Sequence, residues 1–168
     1  MSCLCFHSKT ACKHSCLCPW RLSSPLPVIA LECSVQSEEL GYGLKTLQFI
    51  KRGTYIIEYI GRIVYSEVTV LKILQKPPPR YVMDLGTHWV DADSRSGNMS
   101  RYINHSCQPN AEVVFWDLNG RNRGFIQATD DIQPNSWLSF DYNSQYHRER
   151  ASMPKVHCKC TVSCPNFI

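Results

Sequence analysis

Ten cysteines in 168 residues constrain this chain more than any other feature. Cys3 and Cys5, Cys16 and Cys18, and Cys158 and Cys160 are each separated by one residue. Such neighbours are poorly placed to bridge each other, because disulfide geometry is demanding. They suit two thiolates on one tetrahedral zinc. No apolar run approaches the roughly 20 residues needed to cross a bilayer, and no basic, apolar, small-residue signal pattern opens the sequence. The expectation is a protein inside the cell and off the membrane, where cysteines are kept reduced and serve metals more often than disulfides.

Around the cysteines the chain reads as mostly β. Residues 1–18 are cysteine-rich and lack periodic hydrophobicity. Residues 19–33, rich in Pro, Ser and Leu, read as an extended connector ending at Cys33. Gly41-Tyr42-Gly43 reads as a turn. Thr54–Ile63 is β-branched and aromatic, hence a strand. Ser66–Gln75 carries Val70, Leu71 and Leu74 and predicts a short helix, stopped by Pro77-Pro78-Pro79. Arg80–Leu85, His88–Ala92, Ala111–Asp117, Gly124–Ala128 and Trp137–Tyr142 predict strands. Asn119-Gly120 between two of them is a hairpin signal, because both residues accept the left-handed backbone that a two-residue turn needs.

The net charge of +4 permits contact with nucleic acid. Apart from a loose group over residues 147–159, the basic residues are scattered, so a solvated basic face and a binding patch fit equally well.

Three segments concentrate chemistry. Gly41-Tyr42-Gly43-Leu44 is a two-glycine stretch. Residues 101–110, Arg-Tyr-Ile-Asn-His-Ser-Cys-Gln-Pro-Asn, pack amides, an imidazole and a thiol into ten positions. Residues 138–143, Leu-Ser-Phe-Asp-Tyr-Asn, form an apolar strand ending in a polar aromatic cluster. Singly, each is more often a turn or a packing feature than a site. Their order is more informative. With Glu58-Tyr59-Ile60-Gly61 and the Cys158-Lys159-Cys160…Cys164 group, they resemble the SET-domain family of protein lysine methyltransferases along nearly the whole chain. The stretch Val90–Asn143 is similar to the histone H3 lysine-36 class, through Gly97-Asn98-Met99-Ser100-Arg101, the Asn104–Asn110 run, Trp116 with Asn119-Gly120, and Asp131-Ile132.

The resemblance implies a fold of small twisted sheets with a C-terminal pseudoknot, flanked by zinc-binding modules. It implies a shortened associated-with-SET (AWS) module over residues 1–33, a catalytic domain over 34–147 and a post-SET module over 148–168. It implies methyl transfer from S-adenosylmethionine to a histone lysine, with the histone H3 tail or the nucleosome as partner and the nucleus as location. Tyr142 takes the place of the catalytic tyrosine, Tyr59 and Tyr81 of other pocket tyrosines, and Phe140 of the position that influences methyl number. Gly41, Tyr42, Gly43, Tyr81, Arg101, Tyr102, Asn104, His105 and Tyr142 are the implied cofactor contacts. Cys107, Cys158, Cys160 and Cys164 are one implied zinc set, and Cys3, Cys5, Cys12 and Cys16 another.

The sequence departs from the family pattern in three places. Three residues separate Cys160 from Cys164 where four are usual, which leaves a tighter loop or an altered ligand set open. After Cys33 the expected further cysteines are missing, so Cys12 and Cys33, with Cys18 as a substitute, would need a further ligand such as His7 or His14 to complete a second N-terminal site. Asn135-Ser136-Trp137 replaces a glycine and acidic pattern. The two Asn-x-Ser triplets, at Asn98 and Asn104, are discounted as glycosylation sites because they fall inside the implied active site. A silent SET fold serving as a binding or scaffolding module is the alternative function, and cofactor binding without turnover would distinguish it.

Overall fold

A computed structural model describes residues 29–75, 81–93, 96–142, 157–161 and 164–165. Among these, Asn119 (φ 58°) and Gly120 (φ 79°) are both left-handed. They close a two-residue turn in which Arg121 N–H donates to the Leu118 carbonyl (3.3 Å) and Leu118 N–H to the Arg121 carbonyl (2.8 Å). Strands β8 (Ala111–Asp117) and β9 (Asn122–Ala128) therefore pair antiparallel in unbroken register, from Ala111↔Ala128 to Asp117↔Asn122. On β9 the inward positions alternate as period two demands: Gly124, Ile126 and Ala128 are buried. β3 (Tyr55–Glu58) adds to the other edge of β9 and completes a three-stranded sheet.

The strand expected over Thr54–Ile63 is two strands in two sheets. After β3 the chain leaves that sheet, and β4 (Arg62–Val64) joins β6 (Trp89–Asp91) and β5 (Val82–Asp84) in the order β4-β6-β5. The break falls at Gly61, where a Cβ would lie 2.4 Å from the Asp91 carbonyl oxygen. Glycine allows the chain to cross directly against β6. Arg62 then ion-pairs with the buried Asp91 at 2.7 Å. Helix α1 (Glu67–Leu74) matches its expected span. Ser66 caps it by accepting the Thr69 N–H, and Val70 and Ile73 bury against Val64.

Two readings near the N-terminal side are corrected. Residues 31–33 are not connector: they begin β1 (Leu31–Ser37), which pairs antiparallel with β2 (Gly41–Thr46). Gly41-Tyr42-Gly43 is the start of β2, not a turn. The turn occupies residues 38–40, and Gly41 ends it with φ 69°. Short polar residues hid the strand, since β1 has no fully buried position to give it an apolar face. Strand pairing also runs through residue 33, the boundary drawn from the cysteine pattern.

β2 in turn touches the C-terminal strand. Leu138 N–H donates to the Leu44 carbonyl (2.8 Å), and Thr46 N–H to the Ser136 carbonyl (3.0 Å). Asn135 stands at φ 67°, a left-handed position, which explains how asparagine substitutes for a glycine in that turn. Of the strand expected over Trp137–Tyr142, β10 is Ser139–Phe140. It lies parallel to the equally short β7 (Asn104–His105), which follows a 3-10 helix over Met99–Tyr102. No helix among the described residues is long and apolar enough to cross a membrane.

Candidate active site and cysteine cluster

The β7–β10 pair brings the two most suggestive segments together, with Ser139 opposite Asn104 and Phe140 opposite His105. Asn110 clamps the arrangement with its side chain: Oδ1 accepts Ser139 N–H (3.0 Å) and Nδ2 donates to the Trp137 carbonyl (2.9 Å). Immediately beyond β10, the Tyr142 hydroxyl donates to the Ile103 carbonyl at 2.8 Å. The Tyr142 ring stands 4.9 Å from that of Phe140 and edge-on to His105 at 5.4 Å. Tyr59 is buried in the same core cluster, against which Tyr81 and Tyr142 pack. Burial holds the Tyr59 phenol well above its ordinary pKa, and Tyr142, Asp91 and Tyr81 nearby add to the rise.

A second aromatic group adjoins the first. The Tyr102 ring lies 6.1 Å from both Tyr42 and Tyr81. The Arg101 guanidinium stacks 4.8 Å over Tyr102 and donates to the Tyr102 hydroxyl (2.9 Å) and the Ala92 carbonyl (3.0 Å). Its buried Nε has no hydrogen-bond partner among the described residues. Asn104 donates to the Tyr42 carbonyl (3.0 Å) and to Gln36 Oε1 (2.9 Å). Both amide hydrogens are thus used internally, which leaves its oxygen for an outside donor. A Cβ at Gly43 would lie 2.3 Å from Gln36 Oε1, so a side chain there would push the Gln36 amide away from Asn104. Tyr42 presents a largely exposed ring beside these groups. An exposed aromatic face, an amide oxygen and a guanidinium side by side fit a ligand with a planar base and charged or polar ends.

The third group is sulfur. The Sγ atoms of Cys107, Cys158, Cys160 and Cys164 all lie within 4.8 Å of one another. Cys107 Sγ is 3.6 Å from that of Cys158 and 3.7 Å from that of Cys164. Four sulfurs around one tetrahedral zinc, at about 2.3 Å each, are separated by about 3.8 Å. The donor set therefore fits zinc in number, type and spacing, and the short Cys160–Cys164 interval does not remove a ligand. Burial pushes the Cys158 thiol up to about 12. A backbone hydrogen bond from Cys107, with support from Cys158, brings Cys160 down to about 7.

His105 joins the first and third groups. Its Nδ1 accepts the Tyr142 backbone N–H at 3.0 Å, and its Nε2 lies 3.4 Å from Cys107 Sγ. Burial lowers its pKa, against an opposing pull from Asp141. The ring is neutral on this geometry, since an Nδ1 that accepts a hydrogen bond carries no proton.

The structure thus gathers every sequence-derived candidate among the described residues. Cys3, Cys5, Cys12 and Cys16 lie outside them. Sequence reasoning missed Gln36, concealed in the unrecognised β1. It placed Asn98 in the family pattern but missed its role: the side-chain oxygen caps the 3-10 helix while the amide donates to the Glu58 carbonyl at 2.8 Å. The clamping role of Asn110 was missed as well; a proline-adjacent asparagine after a site loop was the available signal.

Residues 41–143 match the SET domain. The chain belongs to the SET-domain family. The match contains the whole aromatic site and one of the four clustered cysteines. The SET domain and its flanks are 32% identical over 140 residues to histone-lysine N-methyltransferase ASHH1 of Arabidopsis thaliana, covering 80% of this chain and 27% of that protein. They are 32% identical over 133 residues to the human histone-lysine N-methyltransferase that is H3 lysine-36 specific, covering 76% of this chain and 5% of that protein. The chain therefore spans about a quarter or less of these relatives. Among solved structures, ctPRC2 of Chaetomium thermophilum, in an autoinhibited conformation bound to S-adenosylmethionine, is similar at TM-score 0.63 and 29% identity, over 71% of this chain and 16% of that one.

Proposed function

We propose that this SET domain is a protein lysine N-methyltransferase that uses S-adenosylmethionine and acts on histone H3 at lysine-36, in the nucleus and on chromatin. The observation that carries the reading is the convergence of Tyr142, Phe140, Tyr59 and Tyr81 beside the Tyr42–Tyr102–Arg101–Asn104 group. One set suits a lysine side chain and the other a nucleoside with an amino-acid tail. The relative named for H3 lysine-36 supports the substrate, and the S-adenosylmethionine-bound neighbour supports the methyl donor. Residues 34–147 are the catalytic part, residues 1–33 a shortened AWS-like module, and residues 148–168 a post-SET module.

S-adenosylmethionine, when bound, supplies a methyl group on a sulfonium, an electrophile for a neutral amine. Tyr42, the Gly41–Gly43 backbone, Tyr81, Arg101, Tyr102, Asn104, His105 and Tyr142 would hold it. The protein's own task is positioning and exclusion of water. A lysine amine in water has a pKa of about 10.4 and is mostly protonated at neutral pH. Walls of Tyr59, Tyr81, Phe140 and Tyr142 strip its water and lower that pKa, since burial disfavours the charged form. Tyr59 keeps its own proton, because burial and its neighbours raise its phenol. It is a hydrogen-bond partner for the amine, not a base. The Tyr142 hydroxyl spends its hydrogen on the Ile103 carbonyl, so its lone pairs face an amine N–H. Phe140, packed on Tyr142, limits the room for added methyl groups.

Cys107, Cys158, Cys160 and Cys164 would hold one zinc with a structural role, tying the C-terminal tail to the site. Cys3, Cys5, Cys12 and Cys16 would hold another at the opposite end.

The test is transfer of labelled methyl from S-adenosylmethionine to recombinant nucleosomes and free histones, with Tyr142→Phe and a zinc chelator in parallel. The expected result is label on H3 that a lysine-36 substitution removes and both controls abolish. Label that survives the lysine-36 substitution overturns the substrate. No label on any histone, from folded protein that binds S-adenosylmethionine, overturns the histone reading.

A further inference from the structure

We infer that Asn98 is a positioning residue for Tyr59, and that it acts by holding the peptide group between Glu58 and Tyr59. The inference rests on the proposed place of Tyr59 in the lysine channel.

β3 is the edge of its sheet, in the order β3-β9-β8. The peptide group that leaves this strand is held at both ends. At one end, Tyr59 N–H donates to the Gly124 carbonyl of β9 at 2.9 Å. The carbonyl of a planar trans peptide points the opposite way. The Glu58 oxygen therefore faces off the edge, where no strand of that sheet lies among the described residues. A buried carbonyl left without a donor is costly. Asn98 Nδ2 supplies the donor at 2.8 Å. A side-chain amide thus does what a neighbouring strand would do. With both ends held, the plane of the peptide is set, and with it the direction in which the Tyr59 side chain leaves the backbone. Sheet pairing does not set it further, since β3 ends at Glu58 and the next strand begins at Arg62.

The Asn98 amide has one workable orientation. Its Oδ1 accepts the Ser100 N–H (3.2 Å) and the Ser100 hydroxyl (2.5 Å). A backbone N–H only donates and a carbonyl only accepts, so oxygen faces Ser100 and nitrogen faces Glu58. Ser100 is fully buried, which shields its side of the clamp from water. Gly97 brings the asparagine to this place. A Cβ there would lie 2.1 Å from the Ala92 carbonyl oxygen, so the chain passes closer to Ala92 than a side chain permits. The oxygen of Asn98 is spent on Ser100 and its nitrogen on Glu58. Its effect on the reaction therefore passes through the backbone that it holds.

Two substitutions remove the donor and keep the cap. Serine and aspartate both cap helices well. Aspartate has no hydrogen to give, and the serine hydroxyl, one bond shorter, falls short of Glu58. In the full chain, the carbon-13 shift of the Glu58 carbonyl and the ring signals of Tyr59 read the clamp. Equilibrium binding of S-adenosylmethionine and transfer to recombinant nucleosomes read the site. Asn98→Ser and Asn98→Asp should move the Glu58 carbonyl upfield and shift the Tyr59 ring signals. Binding of S-adenosylmethionine should be unchanged, while kcat falls about tenfold, the worth of one buried hydrogen bond. In a Tyr59→Phe background most of that loss should vanish, because the hydroxyl to be aimed is already gone. Tyr59 ring signals that stay in place in both variants overturn the inference. So do losses in kcat that add to that of Tyr59→Phe, or cofactor binding that falls in step with kcat. Failure of both variants to fold makes Asn98 a structural residue only, and overturns it as well. If the signals move while Tyr59→Phe alone transfers methyl at the wild-type rate, the positioning stands and the place of Tyr59 in the channel falls.

Discussion

The β8–β9 hairpin and the β7–β10 junction lie in one small fold and are held by different physics. The hairpin pairs seven residues of one strand with seven of the next, through a turn its own sequence dictates. Its inner face is fully apolar, with Ala111, Ile126 and Ala128 at most 2% exposed. The junction pairs two residues with two, in parallel, Ser139 with Asn104 and Phe140 with His105. It depends on side chains: Asn110 clamping β10, His105 on the Tyr142 amide, and Cys107 beside sulfurs from the tail. Local pattern and burial build the scaffold, while polar and metal-competent side chains build the site. Stability and activity should therefore respond to different perturbations.

The largest effect should come from metal. Chelation, or Cys107→Ser, should remove the cluster's cross-link, lower the melting temperature by about 10 °C or more, and abolish methyl transfer. Calorimetry and a transfer assay on the same sample check both. An unchanged melting temperature after complete zinc removal would sink the structural role. Next, Ile126→Ala in β9 should cost about 2–5 kcal/mol, since Ile126 is fully buried. Urea unfolding should register that loss, with bound zinc per chain unchanged. If zinc stoichiometry falls too, the two regions are not separable.

Tyr142→Phe should reverse the pattern. Stability should drop by only about 1 kcal/mol, for one hydrogen bond to the Ile103 carbonyl. Transfer should fall roughly 100-fold or more, to background in the labelling assay, as for the removal of one positioned polar group in other active sites. Comparison of kcat with the unfolding midpoint gives both numbers. The smallest effect belongs to the hairpin turn. Gly120→Ala, at φ 79°, should cost about 1 kcal/mol and leave kcat untouched. Loss of activity there would mean that strain in the turn reaches the site.

The same division explains what the sequence disclosed. β8, β9 and α1 were legible because their signals are local: alternation, a left-handed Asn-Gly pair, a serine cap. Residues 101–110 and 138–142 were legible as chemistry, because amides, imidazole and phenol crowd there, but not as strands. Their two-residue pairing has no periodicity to read. β1 was lost because its residues are all half-buried or exposed, so Gln36 was lost with it. The split at Gly61 depends on the close approach of Asp91, far along the chain, which no local window contains. The sulfur cluster, Cys107 included, was foreseen from Cys158-Lys159-Cys160 and the family pattern, and the fold supplies the approach that brings Cys107 within reach of the other three.

The sulfurs of Cys107 and Cys158 meet across 51 positions of chain, which has a consequence in time. A ribosome adds about 5–20 residues per second, so Cys107 emerges roughly 3–10 seconds before its partners. During that interval its thiol belongs to a nascent protein whose hairpin sheet can already have formed. It is open to stray metals, oxidants and wrong thiols. If the cluster holds zinc as proposed, the supply of zinc during synthesis, as well as its concentration afterwards, sets what fraction of the molecules matures with the four sulfurs joined.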